Sequence, residues 1–238
     1  MSRYLLKFEK GGQLRYISHL DLLRLFKRTF KRLGVELVYS RGFNPHPKIS
    51  FAQPLSLGYT SVGEYLEIET RIPYNEDFLV ASVNSALPYG IKVLDCRPVP
   101  DSVKAAASRV GWAAYEVDLP EERRFPTESQ LEEFINQDRI LVKKAVKKRK
   151  DYKKINIRPM IDELKLAMDD DGKQKLTMKI HAGSESNLNP ELLLGPLFEF
   201  AGIPLEKYEP RIKRLELYDK KGQPLYADLD IYYHLMYD

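Results

Sequence analysis

The chain has 238 residues, 43% apolar and 30% charged, with a formal net charge of +4, a composition that fits one or two soluble globular domains. No apolar run approaches the ~20 residues that cross a bilayer. The opening MSRYLLKFEKGG lacks the apolar centre of a signal peptide, so a cytoplasmic protein with no membrane partner is expected. The single cysteine, Cys96, excludes an intrachain disulfide, a Cys-ligated iron–sulfur cluster held by this chain alone and a Cys-rich zinc site.

Taken in chain order, residues 4–9 read as a strand, Gly11-Gly12 as a turn, and 14–17 as further extended chain. Ser18 then stands three residues before Asp21 in a capping-box pattern. It opens a predicted helix over 19–33 that stops at Gly34. Leu22, Phe26, Phe30 and Leu33 recur at helical spacing and form an apolar floor, while Arg24, Lys27, Arg28, Lys31 and Arg32 form a cationic roof. Residues 35–39 read as a second strand and 49–52 as a third extended piece. Residues 63–69 alternate as a further strand, 75–87 as a helix with Phe78, Leu79, Val83 and Leu87 inward, and 91–96 as the closing strand. That β-α-β-β-α-β order is the ferredoxin-like pattern. Residues 98–111 read as a linker or a short helix at 102–108.

The second half repeats the order of elements without repeating residues. Strands are predicted at 112–119, 140–146, 164–168, 175–181 and 212–217, with the 164–181 pair joined across Asp169-Asp170-Asp171-Gly172. Helices are predicted over 127–137, with Leu131, Phe134 and Ile135 inward, and from Asn189-Pro190 to about residue 200. The expected fold is therefore α+β, two tandem ferredoxin-like (βαββαβ) domains with antiparallel sheets, one over 1–98 and one over 110–238. The tail from 225 carries four tyrosines, too aromatic for a solvated tail, and is expected to dock on a partner or on its own core.

Charge is uneven along the chain. Residues 1–48 carry eleven Lys/Arg against three acids, and 139–158 carry ten against Asp151 alone, in an acidic remainder. Two basic blocks on an acidic background suit a polyanion or an acidic protein face, and they equally solvate helix and strand surfaces. Between the first helix and the 49–52 segment lies Arg41-Gly42-Phe43-Asn44-Pro45-His46-Pro47-Lys48. Its two prolines fix their own φ and push Asn44 and His46 toward extended backbone. The imidazole is thus presented on a stiff cationic loop, the kind of place where binding and chemistry sit.

The strings RYISHLD at 15–21, YSRGFNPHPKISFA at 39–52 and PLSLG at 54–58 resemble the radical-SAM-linked domain-of-unknown-function family. Its domain stands alone or is joined to the end of a cobalamin-binding radical-SAM protein. The resemblance is strongest over residues 3–97, and NLNPE at 187–191 is similar to a second-half feature of that family. It implies a bacterial protein whose partner is a radical-SAM enzyme, and it implies no reaction. With one cysteine, this chain is similar to the stand-alone form.

Three functions compete on these residues. In the first, an accessory or substrate-presenting protein binds RNA, its likewise expected partner. Arg24, Lys27, Arg28, Lys31, Lys147, Lys148, Arg149 and Lys150 hold the polyanion, Tyr152 stacks among the cations, and Arg41, Asn44, His46 and Lys48 orient the reacting group. In the second, a metal-independent endoribonuclease uses His46 and His19 as acid and base. Its tandem architecture resembles the CRISPR-repeat endoribonucleases. The third is a protein–protein adaptor. No cofactor or metal site is expected: His19 and Asp21 do not share a helix face. Of Glu64, Glu67 and Glu69 only the last two share a strand face, and 169–172 lacks the spaced ligands of a calcium loop.

Overall fold

A computed structural model describes residues 1–145, 152–169, 171–206, 210–227 and 229. In chain order the elements are β1 (Ser2–Lys10), α1 (His19–Arg32), β2 (Ile49–Phe51), β3 (Thr60–Thr70), α2 (Glu76–Ala86), β4 (Ile91–Pro98) and α3 (Ala106–Arg109). There follow β5 (Val110–Asp118), α4 (Glu128–Ile135), β6 (Leu141–Ala145), β7 (Tyr152–Asn156), β8 (Ile161–Met168), β9 (Gln174–His181), α5 (Pro190–Phe200) and β10 (Arg211–Asp219). The fold is mixed α+β with mainly antiparallel strand pairing.

Two compact units divide the described residues, Met1–Gly111 with Arg214–Asp238, and Trp112–Lys213. The second domain had been expected to run from 110 to the end. Instead the chain returns to the first unit at Arg214, because β10 lies along β3 there. Gly63 makes room for that approach: a β-carbon on it would stand 2.8 Å from Glu216 Cα and closer still to the Leu215 carbonyl oxygen.

In the first unit β1 is central, antiparallel to β4 on one side and to β3 on the other, with β2 also on β3. Leu6 faces Leu66 across one ladder and Cys96 across the other. Phe8, Phe26, Leu66, Ile68, Leu79 and Val83 are buried together in the core that α1 and α2 close. The α1 stripe is as expected at Leu22, Phe26 and Phe30, with Leu33 at its edge, and Ser18 caps the helix by accepting from the Asp21 N–H. β3 is buried at nearly every position, not at alternate ones. Its other face is also covered, as the Tyr65 ring packs 5.1 Å from that of Tyr226. The Tyr226 hydroxyl donates to the Leu5 carbonyl at 2.8 Å, so this tail tyrosine docks on its own core. Tyr232, Tyr233 and Tyr237 lie outside the described residues.

Four expectations change. Residues 12–16 form a 3-10 turn, not extended chain. Residues 35–39 are not a strand, since only single bridges at Leu37 and Tyr39 pair them. Phe78, predicted inward, is 55% exposed; it stacks on Tyr74 instead. Tyr152–Asn156, read as part of a charge run, is a strand paired antiparallel with β6.

In the second unit β9 pairs with both β5 and β8, and the β8–β9 hairpin turns at 169–173 as predicted. α4 carries a full capping box between Thr127 and Gln130 and buries Leu131 and Phe134, whereas Ile135 is half-buried. Helix α5 starts with Pro190 behind the Asn189 cap.

Candidate functional site

The Pro-His-Pro segment is a short hairpin built around the two prolines. Neither proline has an N–H, so residues 46 and 48 must supply the donors. The Ser40 N–H donates to the His46 carbonyl at 2.8 Å and the Lys48 N–H to the Val38 carbonyl at 2.7 Å. The His46 N–H donates to the Ser40 hydroxyl at 3.0 Å. Val38 and Lys48 in turn bond Glu69, which ties the hairpin to the end of β3. Gly42 turns the tip with φ +122°, a left-handed value that a β-carbon resists. Residues 41–46, with Arg41, Asn44 and His46 among them, are exposed, and Phe43 is fully so.

At the base of this hairpin an open cavity of about 540 Å³ lies against α1. Lys27, Arg28 and Lys31 line it from the helix, Arg71 from the residue after β3, and Tyr39 and Pro47 from the hairpin. Val35 and Leu37, both buried, make an apolar floor. Glu36 is the one carboxylate in the lining, so four cations leave a net +3. Among the described residues no carboxylate forms an ion pair with any of the four. Two other predicted ligands are engaged: Arg24 with Asp21 at 2.8 Å and Lys48 with Glu69 at 2.6 Å. The groove therefore gathers Lys27, Arg28 and Lys31 beside the Pro47 turn. Arg41, Asn44, His46 and Lys48 are not in its lining.

Sequence reasoning missed Arg71, Glu36 and Tyr39. The Arg71 N–H bonds the Glu36 carbonyl at 2.8 Å, where residues 36–38 lie against the end of β3, and Tyr39 is bridged to Pro47. These long-range contacts have no local signal in the sequence.

The two candidate catalytic histidines have different surroundings. His19 is half-buried, its ring 5.0 Å from that of Phe51. Burial, and then the Lys10 charge, hold its imidazole below the usual histidine range. His46 stands on the exposed hairpin, and among the described residues no hydrogen bond joins the two. Beneath His19, buried Lys10 donates to the Arg15 and Ile17 carbonyls at 3.4 and 3.3 Å. It thereby fixes the segment that enters α1. Burial pushes this ammonium below the usual lysine range, against the pull of Glu64. Arg214 bonds both Glu64 oxygens, at 2.9 and 3.0 Å, and the Gln53 and Pro54 carbonyls at 3.3 and 3.1 Å. A buried charge cluster thus holds the backbone at Arg15, Ile17, Gln53 and Pro54, a structural role for part of both motifs.

A second basic surface lies on the β6–β7 ribbon. Lys143 faces Lys154, Lys144 faces Lys153, and Ala145 faces Tyr152. Lys143, Lys153 and Lys154 are exposed, and Tyr152 is 67% exposed. Like charges directly opposite repel across a ladder. The ribbon's base is held by buried Val142 and Ile157 and by Asn156, whose side-chain oxygen accepts from the Ile140 N–H at 3.0 Å. Lys147, Lys148, Arg149 and Lys150 lie outside the described residues.

These features define an α+β protein with an open cationic groove on one unit and a lysine-bearing ribbon on the other. The chain belongs to the family described as an uncharacterized protein conserved in bacteria (DUF2344), which matches residues 3–190. No curated protein matches it. Among solved structures it is similar to a chain in the crystal structure of a Cbf5-Nop10-Gar1 complex, at 9% identity and a TM-score of 0.49, covering 99% of this chain and 56% of that one. A likeness at that level carries no functional argument. No helix among the described residues is long and apolar enough to cross a membrane.

Proposed function

We propose that this chain is a non-catalytic accessory or substrate-presenting protein that binds RNA through two basic surfaces and works with a radical-SAM enzyme. The observation that carries the RNA reading is the groove. None of its four cations forms an ion pair with a carboxylate among the described residues, whereas Arg24 and Lys48 beside them do, and the lining keeps a net +3. Cations left unneutralised at a recess favour a polyanion, because each phosphate contact releases condensed counterions. The ribbon supports the same reading, since Lys143 and Lys154 stand opposite one another and exposed, and like charges so placed repel. The radical-SAM association rests on the family resemblance of the 15–21 and 39–58 motifs.

We further read the first unit as ferredoxin-like. The β-α-β-β-α-β order, with β1 and β3 central and β4 and β2 flanking, supports this. In the second unit β5, α4, β8, β9 and α5 follow the same order, with the ribbon inserted after α4, which supports a tandem arrangement.

Binding of the purified protein to total transfer and ribosomal RNA across a salt series checks the functional reading. Log affinity falls with log salt by about 0.7 per phosphate contact for single strands. Changing Lys27, Arg28, Lys31 and Arg71 to Gln lowers that slope by roughly two to three units. Flat salt dependence, or no binding at low salt, rejects RNA and leaves an adaptor for an acidic protein surface. RNA cleavage that His46→Ala abolishes would replace the accessory reading with the endoribonuclease one.

A further inference from the structure

The groove combines two chemistries that a simple phosphate clamp does not need together. Lys27, Arg28 and Lys31 project from neighbouring turns of α1, and Arg71 lines the same recess. The same lining holds the buried Leu37 and Tyr39, which is 47% exposed. The helix C-terminus near Gly34 carries only about half a negative charge, which the net +3 of the lining outweighs. At about 540 Å³ the recess falls within the ~300–1,000 Å³ of small-ligand pockets. That is room for one nucleotide. The walls that carry Tyr39 are fixed, because Tyr39 is bridged to Pro47 and its neighbours Val38 and Ser40 bond residues on both sides of that proline.

We infer that the groove takes a single unpaired ribonucleotide, its base against Tyr39 and its phosphate among the α1 cations and Arg71. The inference rests on the RNA reading above and adds selection for single-stranded or splayed RNA over duplex. A paired base is stacked inside the helix and cannot present its face to Tyr39 without being extruded. A flat cationic surface would accept a duplex backbone equally well. The recess and its aromatic wall make the difference.

Fluorescence anisotropy with a labelled single-stranded RNA octamer, the same octamer in a blunt duplex, and AMP as competitor tests this. The single strand is expected to bind about tenfold more tightly than the duplex, and AMP to displace it. Tyr39→Ala is expected to weaken single-strand binding at least about fivefold and so to narrow the preference over duplex, while Tyr39→Phe keeps wild-type affinity. Tyr39→Leu retains bulk without the π-face, and gives the same loss should the Ala variant fail to fold. Equal affinity for both RNAs, or single-strand binding indifferent to the Ala and Leu changes, overturns the single-nucleotide inference while the RNA reading stands. Absence of binding to either RNA overturns both.

Discussion

At the scale of single residues, the clearest consequence of the fold concerns His19. It sits against Phe51 and near the Lys10 ammonium, and both its burial and that charge disfavour the imidazolium. Its folded pKa lies below the unfolded value near 6.5, so the unfolded chain binds more protons in the window between them. Stability therefore rises with pH through that window and is lost on acidification below about 6.5. Urea midpoints at about pH 7.5 and pH 5.5 check this: the wild type is expected to lose stability between them, and His19→Gln to lose less. An unchanged difference in the variant would place the titrating group elsewhere. Glu64 and Arg214 illustrate a different balance, each 3% exposed. Burial pushes the Glu64 carboxyl up, with Arg214 and then Lys10 acting against it. Losing one partner of such a pair leaves an uncompensated buried charge, and Arg214 also holds the Gln53 and Pro54 carbonyls.

At the scale of elements, Gly63 is the position where β3 depends on one residue type. Any side chain there meets the Leu215 carbonyl and the Glu216 Cα. Gly63→Ala is expected to cost about 1–3 kcal/mol, read as a lower urea midpoint with an unchanged slope, and a neutral result would mean that β10 does not lie against β3. The helices were legible because their signals are local: Ser18, Asn75, Thr127 and Asn189 each cap the helix they were predicted to open. The hairpin over 161–181 was legible from its Asp-Gly turn. Residues 35–39 were not, because an apolar run such as Val35-Glu36-Leu37-Val38-Tyr39 looks the same whether it forms a full ladder or two isolated bridges. The β6–β7 ribbon was hidden for the opposite reason. Its lysines mimic a solvated charge run, and only pairing with 141–145 makes 152–156 a strand.

At the scale of the whole molecule, the chain divides as Met1–Gly111 with Arg214–Asp238, and Trp112–Lys213, each unit with its own basic surface. The charge blocks that named these surfaces were legible from composition. Which cations remain unpaired was not, because pairing depends on Asp21 and Glu69 reaching Arg24 and Lys48. Arg71 joined the site only through the contact between residues 36 and 71. The central claim is that the α1 groove is where RNA lies. Ultraviolet cross-linking of the protein to 4-thiouridine-labelled RNA, followed by mass spectrometry of the linked peptides, tests it most directly. Cross-links are expected on the peptides carrying Lys27, Arg28, Lys31, Tyr39 and Arg71, together with the ribbon around Lys143, Tyr152, Lys153 and Lys154. Cross-links that leave the Lys27–Lys31, Tyr39 and Arg71 peptides unmodified while marking other surfaces would contradict it.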